Sequence, residues 1–334
     1  MIEYSVDRVW ELSDNDLLAL LESDALLSKT RKVRFYVPSF AYHKMNRNYS
    51  PHSRFPTISV TGTKCELNCK HCGGKLLKTM YPAESPKKLF ELATNLKRQG
   101  ASGCLVSGGC QQNGSVRLEQ FYPVLGRLKR ELGLTVVVHT GVVSSATAKR
   151  LRETGIDAAL IDVIGSDTTL KQICNLNITT DYLGRSLQAL GQSGLNFVPH
   201  VIVGLQNGKL EGELQALKMI RKHKPSGLVV IAFMPVRGTV MQSVVPPSSV
   251  SIARVVTCAR MMFPETPLAL GCMRPKGKHR AETDILALKA GVDAIAFPSE
   301  EVVYYAKERG FEICVYPQCC SQIYAEMSSR SISK

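Results

Sequence analysis

A chain of 334 residues with 44% hydrophobic and 21% charged residues is globular and long enough for one large core, which excludes disorder and fibrous repeats. Its apolar runs, such as Val136 to Val138 and Leu228 to Met234, fall far short of the roughly 20 residues that cross a bilayer, so no membrane role is expected. Lys and Arg total 42 against 28 Asp and Glu; the net charge of +14 favours an anionic partner, and without a basic block or an aromatic-studded basic stretch nucleic acid is not expected.

The start, Met1-Ile-Glu-Tyr-Ser-Val-Asp, lacks the basic-then-apolar plan of a signal peptide, which predicts a cytoplasmic protein. Eleven cysteines in that setting are thiolates for metal or redox work before they are a disulfide framework. Residues 1–56 form an N-terminal segment with an amphipathic helix over Ser13 to Lys29 and then an extended stretch. Eight apolar runs follow as predicted strands: Thr57 to Thr61, Gly103 to Ser107, Thr135 to His139, Ala158 to Val163, Asn196 to Val203, Gly227 to Met234, Pro267 to Gly271 and Asp293 to Phe297. Each is mostly apolar on both faces, as strands of a buried parallel sheet are. Helical patterns lie between them, among them Pro86 to Gln99, Ser145 to Glu153, Leu183 to Ser193 and Ser249 to Met262, with Ser85 a predicted N-cap before Pro86. This alternation predicts an α/β fold, a (β/α)8 TIM-type barrel over residues 57–310. A tail over residues 311–334 holds a strand-like run, Phe311 to Tyr316, and then Gln318-Cys319-Cys320.

Cys65-Glu-Leu-Asn-Cys69-Lys-His-Cys72 comes directly after the first predicted strand. Chance placement of that spacing among 11 cysteines is about one in a hundred. A structural zinc site wants four ligands, usually as two separated pairs, whereas three thiolates on one loop suit a cubane iron–sulfur cluster with one iron left open. Buried packing explains Cys104, Cys174 and Cys258.

The triplet resembles the motif of the radical S-adenosylmethionine (SAM) enzymes. The resemblance implies a 4Fe-4S cluster on Cys65, Cys69 and Cys72 whose open iron is chelated by SAM, and reductive cleavage of SAM to a 5′-deoxyadenosyl radical. It also implies that His71 packs near adenine, that Ser107-Gly108-Gly109 meets the SAM amino group, and that the segment from His200 to Gly204 contacts adenine. Cys110 stands where the family's acidic residue customarily follows the glycines.

The tail separates subfamilies. Its 20-odd residues after Phe311 can span more than about 50 Å at about 3.3 Å each, enough to return to the catalytic rim. There Cys314, Cys319 and Cys320, with Cys272 after the seventh predicted strand, are candidate ligands of a second iron–sulfur cluster. Biotin synthase and lipoyl synthase use such a cluster as a sulfur source. Through Thr61 to Gly74, Ser107 to Gly109, Gly271-Cys272-Met-Arg-Pro-Lys-Gly277 and Cys319-Cys320, the chain resembles the biotin synthase-like subunits of the archaeal-type two-component lipoyl synthase. No cysteine precedes Cys65, unlike single-chain lipoyl synthase, and Ser328-Ser329-Arg330-Ser331 only loosely resembles that enzyme's terminal serine motif. The implied partners are an acidic, octanoylated lipoyl carrier protein, a second radical SAM subunit and a reductant such as ferredoxin or flavodoxin. Methylornithine synthase and the hydrogenase maturases share the barrel and triplet and stand as alternatives.

Overall fold

A computed structural model of the chain describes residues 5–23, 26, 31–38 and 54–328. The elements are, in order, α1 (Val6–Glu11), α2 (Asp14–Glu22), β1 (Lys32–Tyr36), β2 (Thr57–Ser59), β3 (Tyr81–Pro82), α3 (Pro86–Arg98), β4 (Gly103–Ser107) and α4 (Tyr122–Arg130). Then come β5 (Thr135–His139), α5 (Ser145–Thr154), β6 (Ala158–Val163), α6 (Asp167–Gln172), α7 (Thr180–Ser193), β7 (Phe197–Val203), α8 (Glu213–Arg221) and β8 (Leu228–Ala232). The last are α9 (Ser249–Met262), β9 (Leu268–Leu270), α10 (Lys278–Lys289), β10 (Ala294–Ala296), α11 (Glu300–Glu308), β11 (Glu312–Tyr316) and α12 (Ile323–Ser328). Local chemistry sets many boundaries: Ser85 Oγ accepts from the Lys88 N–H at the start of α3, and Gly155 and Gly194 end α5 and α7 in the left-handed region.

All eight predicted strands occur, but among the described residues the ladder has eleven members in the order β11-β1-β10-β9-β8-β7-β6-β5-β4-β2-β3, and every pairing between them is parallel. A closed barrel of eight would pair β2 with β10. Instead β1, expected only as extended chain, takes the place beside β10 and pairs with β11 on its other side. Val33, Phe35 and Tyr36 are fully buried there, and Lys32, which obscures the apolar pattern in sequence, pairs with Glu312. The sheet is a curled, open barrel with all strand C-termini on one rim.

Two cores result. The larger lies between the outer face of the sheet and the helices. The N-terminal helices belong to it, because Arg254 of α9 donates to the carbonyls of Val9, Trp10 and Leu12 and pairs with Asp14. The smaller core fills the hollow of the curled sheet with Val137, Leu160, Val198, Val229 and the small Ala158, Ala269, Ala294 and Ala296. Cys320, Ile323 and Tyr324 join it from the tail. β11 rises parallel to the other strands, and Tyr316 at its end stacks on Tyr36 with ring centroids 5.5 Å apart. The chain then turns back at Pro317 and descends inside the barrel. Ile323 reaches Gly227 just before β8, and Tyr324 Oη donates to the carbonyl of Asp157 just before β6 at 3.0 Å. Among the described residues no helix is long and apolar enough to cross a membrane.

Candidate active site

The loop after β2 carries Cys65, Cys69 and Cys72 onto the rim, and two walls clamp it. On one side Thr61 Oγ1 donates to Lys64 O at 2.9 Å and accepts from the Gly109 N–H at 2.7 Å, while the Glu66 N–H donates to Cys110 O at 2.9 Å. On the other side Asn175, held at a left-handed φ of 52°, donates from Nδ2 to Leu67 O at 3.0 Å and Asn68 O at 2.9 Å. The Lys70 N–H donates to Ile173 O at 2.8 Å, and the Cys69 thiol donates to Cys174 O at 3.1 Å. Cys174, expected as packing, therefore serves the loop through its carbonyl.

Ser107 pairs with Ser59 of β2, and Gly108 and Gly109, implied to meet the SAM amino group, lie against this loop. A Cβ on Gly109 would stand 2.0 Å from Lys64 O and 2.7 Å from Cys65 Cβ, so only glycine lets β4's exit pack on the first cysteine. Gly109→Ala is expected to force the loop outward, at an overpacking cost of about 1–3 kcal/mol. Anaerobic iron analysis beside thermal melting checks this: the variant should melt lower and retain less iron than Ser107→Ala. The loop after β8 completes the mouth, where a Cβ on Gly238 would meet Lys75 Nζ at 2.9 Å.

Two of the three thiols, those of Cys69 and Cys72, are crowded together, while Cys65 Sγ lies 3.9 Å from Cys110 O. Contact with Cys69, followed by burial, pushes Cys72 up to about 12, and contact with Cys174 followed by the pull of Cys72 leaves Cys69 raised as well. Ligand atoms of Cys69, His71 and Cys72 lie within 4.8 Å of one another, and His71 Nδ1 is buried without a hydrogen-bond partner. Neighbouring thiols that hold their protons this tightly are what a cationic iron centre relieves, since metal replaces the protons. Cys110 faces the same space, and burial pushes its thiol up to about 12.

His200 turns into the barrel hollow beside two residues that sequence reasoning missed, His139 and Asp162. Despite the cost of burial, His139 holds Asp162 down to about 2, and Asp162 keeps His139 raised. Burial, and then His139, lowers His200 to about 4. Gly204, which the resemblance places against adenine, has a φ of 72°, and a Cβ there would strike Pro247 at 2.6 Å, so the close approach that glycine permits in this structure is to that proline.

The tail thiols reach the hollow too. Cys319 lies within electrostatic reach of His139 and Cys272, and Ser321 Oγ donates to its sulfur at 3.1 Å. A hydrogen bond from Cys320 is the main reason that Cys319 is lowered to about 6, while Cys320 itself is raised. Cys272 opens onto the hollow while protein surrounds it on most sides, and burial raises it. Cys314, the remaining expected ligand, sits on β11 with Sγ 3.6 Å from Glu312 Oε1. Ser329 to Ser331 of the serine tail lie outside the described residues.

Residues 59–234 match the family model of the radical SAM superfamily. Curated relatives are distant: a biotin synthase of Prochlorococcus marinus (strain MIT 9303) is 23% identical over 306 residues, covering 88% of this chain and 85% of that one. A biotin synthase of Leptospira biflexa is 24% identical over 216 residues, 63% of this chain and 60% of its own. Among solved structures, methylornithine synthase (PylB) superposes with a TM-score of 0.60 at 18% identity, over 97% of this chain and 99% of its own. The FeFe-hydrogenase maturase HydG from Carboxydothermus hydrogenoformans gives 0.61 at 15% identity, over 93% and 76%. These likenesses show a shared fold. The family's cofactor is a 4Fe-4S cluster used with SAM, and Cys65, Cys69 and Cys72 on one clamped loop fit it. With more than half of its length matched and the thiol loop where the fold puts its catalytic rim, this chain belongs to the radical SAM superfamily.

Proposed function

We propose that the protein is a sulfur-inserting radical SAM enzyme of the lipoyl synthase type, adding sulfur to an octanoyl chain borne by a small acidic carrier protein. The observation that carries the reading is the tail: β11 returns the chain to the rim, and Cys319 and Cys320 then enter the hollow beside Cys272. That is a position from which a second iron–sulfur cluster, with Cys314 as the further expected ligand, would face the substrate. The distant biotin synthase relatives support sulfur insertion as the reaction class. When bound, the first cluster supplies the electron that cleaves SAM, chemistry needed because an unactivated carbon–hydrogen bond is beyond acid–base catalysis. The chain's own part is to orient and to exclude water. Gly109 lets the cysteine loop sit flush, and the apolar packing of the hollow by Cys320, Ile323 and Tyr324 keeps water from reaching the rim from below. The net charge of +14 would speed encounter with an acidic carrier. A second radical SAM subunit and a ferredoxin or flavodoxin reductant complete the proposed system.

The test mixes the reduced, cluster-loaded protein with octanoylated carrier, with and without a partner subunit, at low and high salt. Thiolated carrier formed at a salt-sensitive rate is the expected result. In Cys319→Ser/Cys320→Ser, deoxyadenosine should still form, sulfur transfer should vanish, and bound iron should fall by about half. Deoxyadenosine made without octanoyl substrate and without sulfur transfer would move the assignment to methylornithine synthase-like or maturase-like chemistry.

A further inference from the structure

The face of the sheet that lines the hollow changes character towards the rim on three neighbouring strands. On β5 Val137 is followed two residues on by His139, on β6 Leu160 by Asp162, and on β7 Val198 by His200. Side chains two apart on a strand share a face, so each polar residue stands one layer above an apolar one. Register then aligns the three: Asp162 pairs directly with His200, and His139 pairs with Leu160, one step below Asp162.

The side chains converge. His139 Nε2 is 3.4 Å from Asp162 Oδ1, the His139 and His200 ring centroids are 5.6 Å apart, and one potential ligand atom from each lies within 4.8 Å of the others. The ion pair accounts for His139 and Asp162 but not for His200, whose Nδ1 is buried without a well-formed hydrogen bond and has only the Val198 backbone within reach. Two imidazoles and a carboxylate from three rigid strands form a ligand set suited to divalent first-row metals. The groups facing it, Cys319 beside His139 and His71 towards Asp162, are themselves able to donate to a cation.

We propose that His139, Asp162 and His200 bind one divalent transition-metal ion, zinc or ferrous iron, inside the barrel and separate from the thiol loop. The site needs neither sulfur insertion nor the tail cluster, so it goes beyond the function proposed above. Neutral imidazoles and one carboxylate leave the centre with a net positive charge at the bottom of the mouth, a Lewis-acidic point able to hold a carbonyl or carboxylate of a substrate.

Zinc itself is the probe. The full chain, its iron–sulfur centres loaded anaerobically, is equilibrated with zinc and desalted, and zinc and iron are counted in wild type, His139→Gln, Asp162→Asn and His200→Gln. Wild type should keep about one zinc per chain beyond the iron. Each variant should bind zinc at least about tenfold more weakly with its iron count unchanged. Zinc-edge X-ray absorption should show nitrogen and oxygen neighbours. Failure of wild type to take up zinc, full retention by all three isosteric variants, or sulfur-only scattering would each overturn the proposal, the last by moving the ion to Cys272, Cys319 and Cys320. Thermal melting guards against misfolding: zinc should raise the melting temperature of wild type and not of Asp162→Asn. Loss of the sulfur-insertion reading would appear in the carrier product and leave these zinc counts untouched.

Discussion

Replacing Cys69 with Ala should bring reductive SAM cleavage to background, a loss of more than about 100-fold, since even the outer partners of a metal ligand are worth about 10- to 100-fold. Cys69 is the most enclosed of the triplet, at 9% exposure, and it sits where the loop is pinned by Cys174 O and Asn175. Removing it leaves two protein thiols for a cluster that needs three, and the pinned backbone gives no neighbour the freedom to substitute. Cys174 and Cys110 are the spare thiols beside the loop, but the backbone of each is held, by Thr169 and by Glu66 respectively. Deoxyadenosine is measured with dithionite as reductant, beside Cys258→Ala, a fully buried cysteine in α9, as the control that should keep its activity. Undiminished deoxyadenosine from Cys69→Ala would remove the cluster from this loop.

The largest stability effect is expected at Arg274. Its side chain and that of Asp284 are both wholly buried, with Nε 2.7 Å from Oδ1. The guanidinium also donates to Gly271 O at 2.6 Å, Ala296 O at 2.8 Å and Phe297 O at 3.2 Å, while Asp284 Oδ2 accepts from the Ser299 N–H at 2.9 Å. One buried pair thus ties the exits of β9 and β10 together and fixes the loop that presents Cys272. Arg274→Met should cost about 3–5 kcal/mol, because Asp284 is left as an uncompensated charge in a dry site. The double variant Arg274→Met/Asp284→Leu should recover much of that loss, since apolar replacement of both partners is often close to neutral. Chemical denaturation of the three proteins measures the cycle. Equal destabilisation by single and double variants would mean that the carbonyl contacts, and not the ion pair, hold the loops.

Much of this was legible in the sequence. The strands from β4 to β10 announce themselves because they are buried on both faces and so are continuously apolar, and the thiol loop announces itself by spacing. β1 does not, because Lys32 and Arg34 interrupt its apolar run, and their placement depends on β11, nearly three hundred residues later. His139 and Asp162 read as ordinary polar strand ends. Only the parallel register shows that Asp162 stands level with His200 and His139 one step below them, and the one sequence signal was a polar residue two after an inward apolar one on three successive strands. Asn175 and the Cys174 carbonyl were invisible for another reason: they act from a loop after α6, more than a hundred residues from the cysteines that they hold.

The descending tail bears on how the protein is made. Ribosomes release the chain from its N-terminus, and Cys320, Ile323 and Tyr324 fill space between strands that have all emerged before them. Until that segment arrives, Ala158, Ala269, Ala294 and Ala296 border an unfilled hollow, and β1 waits on one side for β11. Such distant pairing is slow and leaves apolar surface exposed in the meantime. The nascent barrel is therefore finished at its centre last, which makes the interval before Cys320 to Tyr324 arrive the one in which chaperone protection matters most.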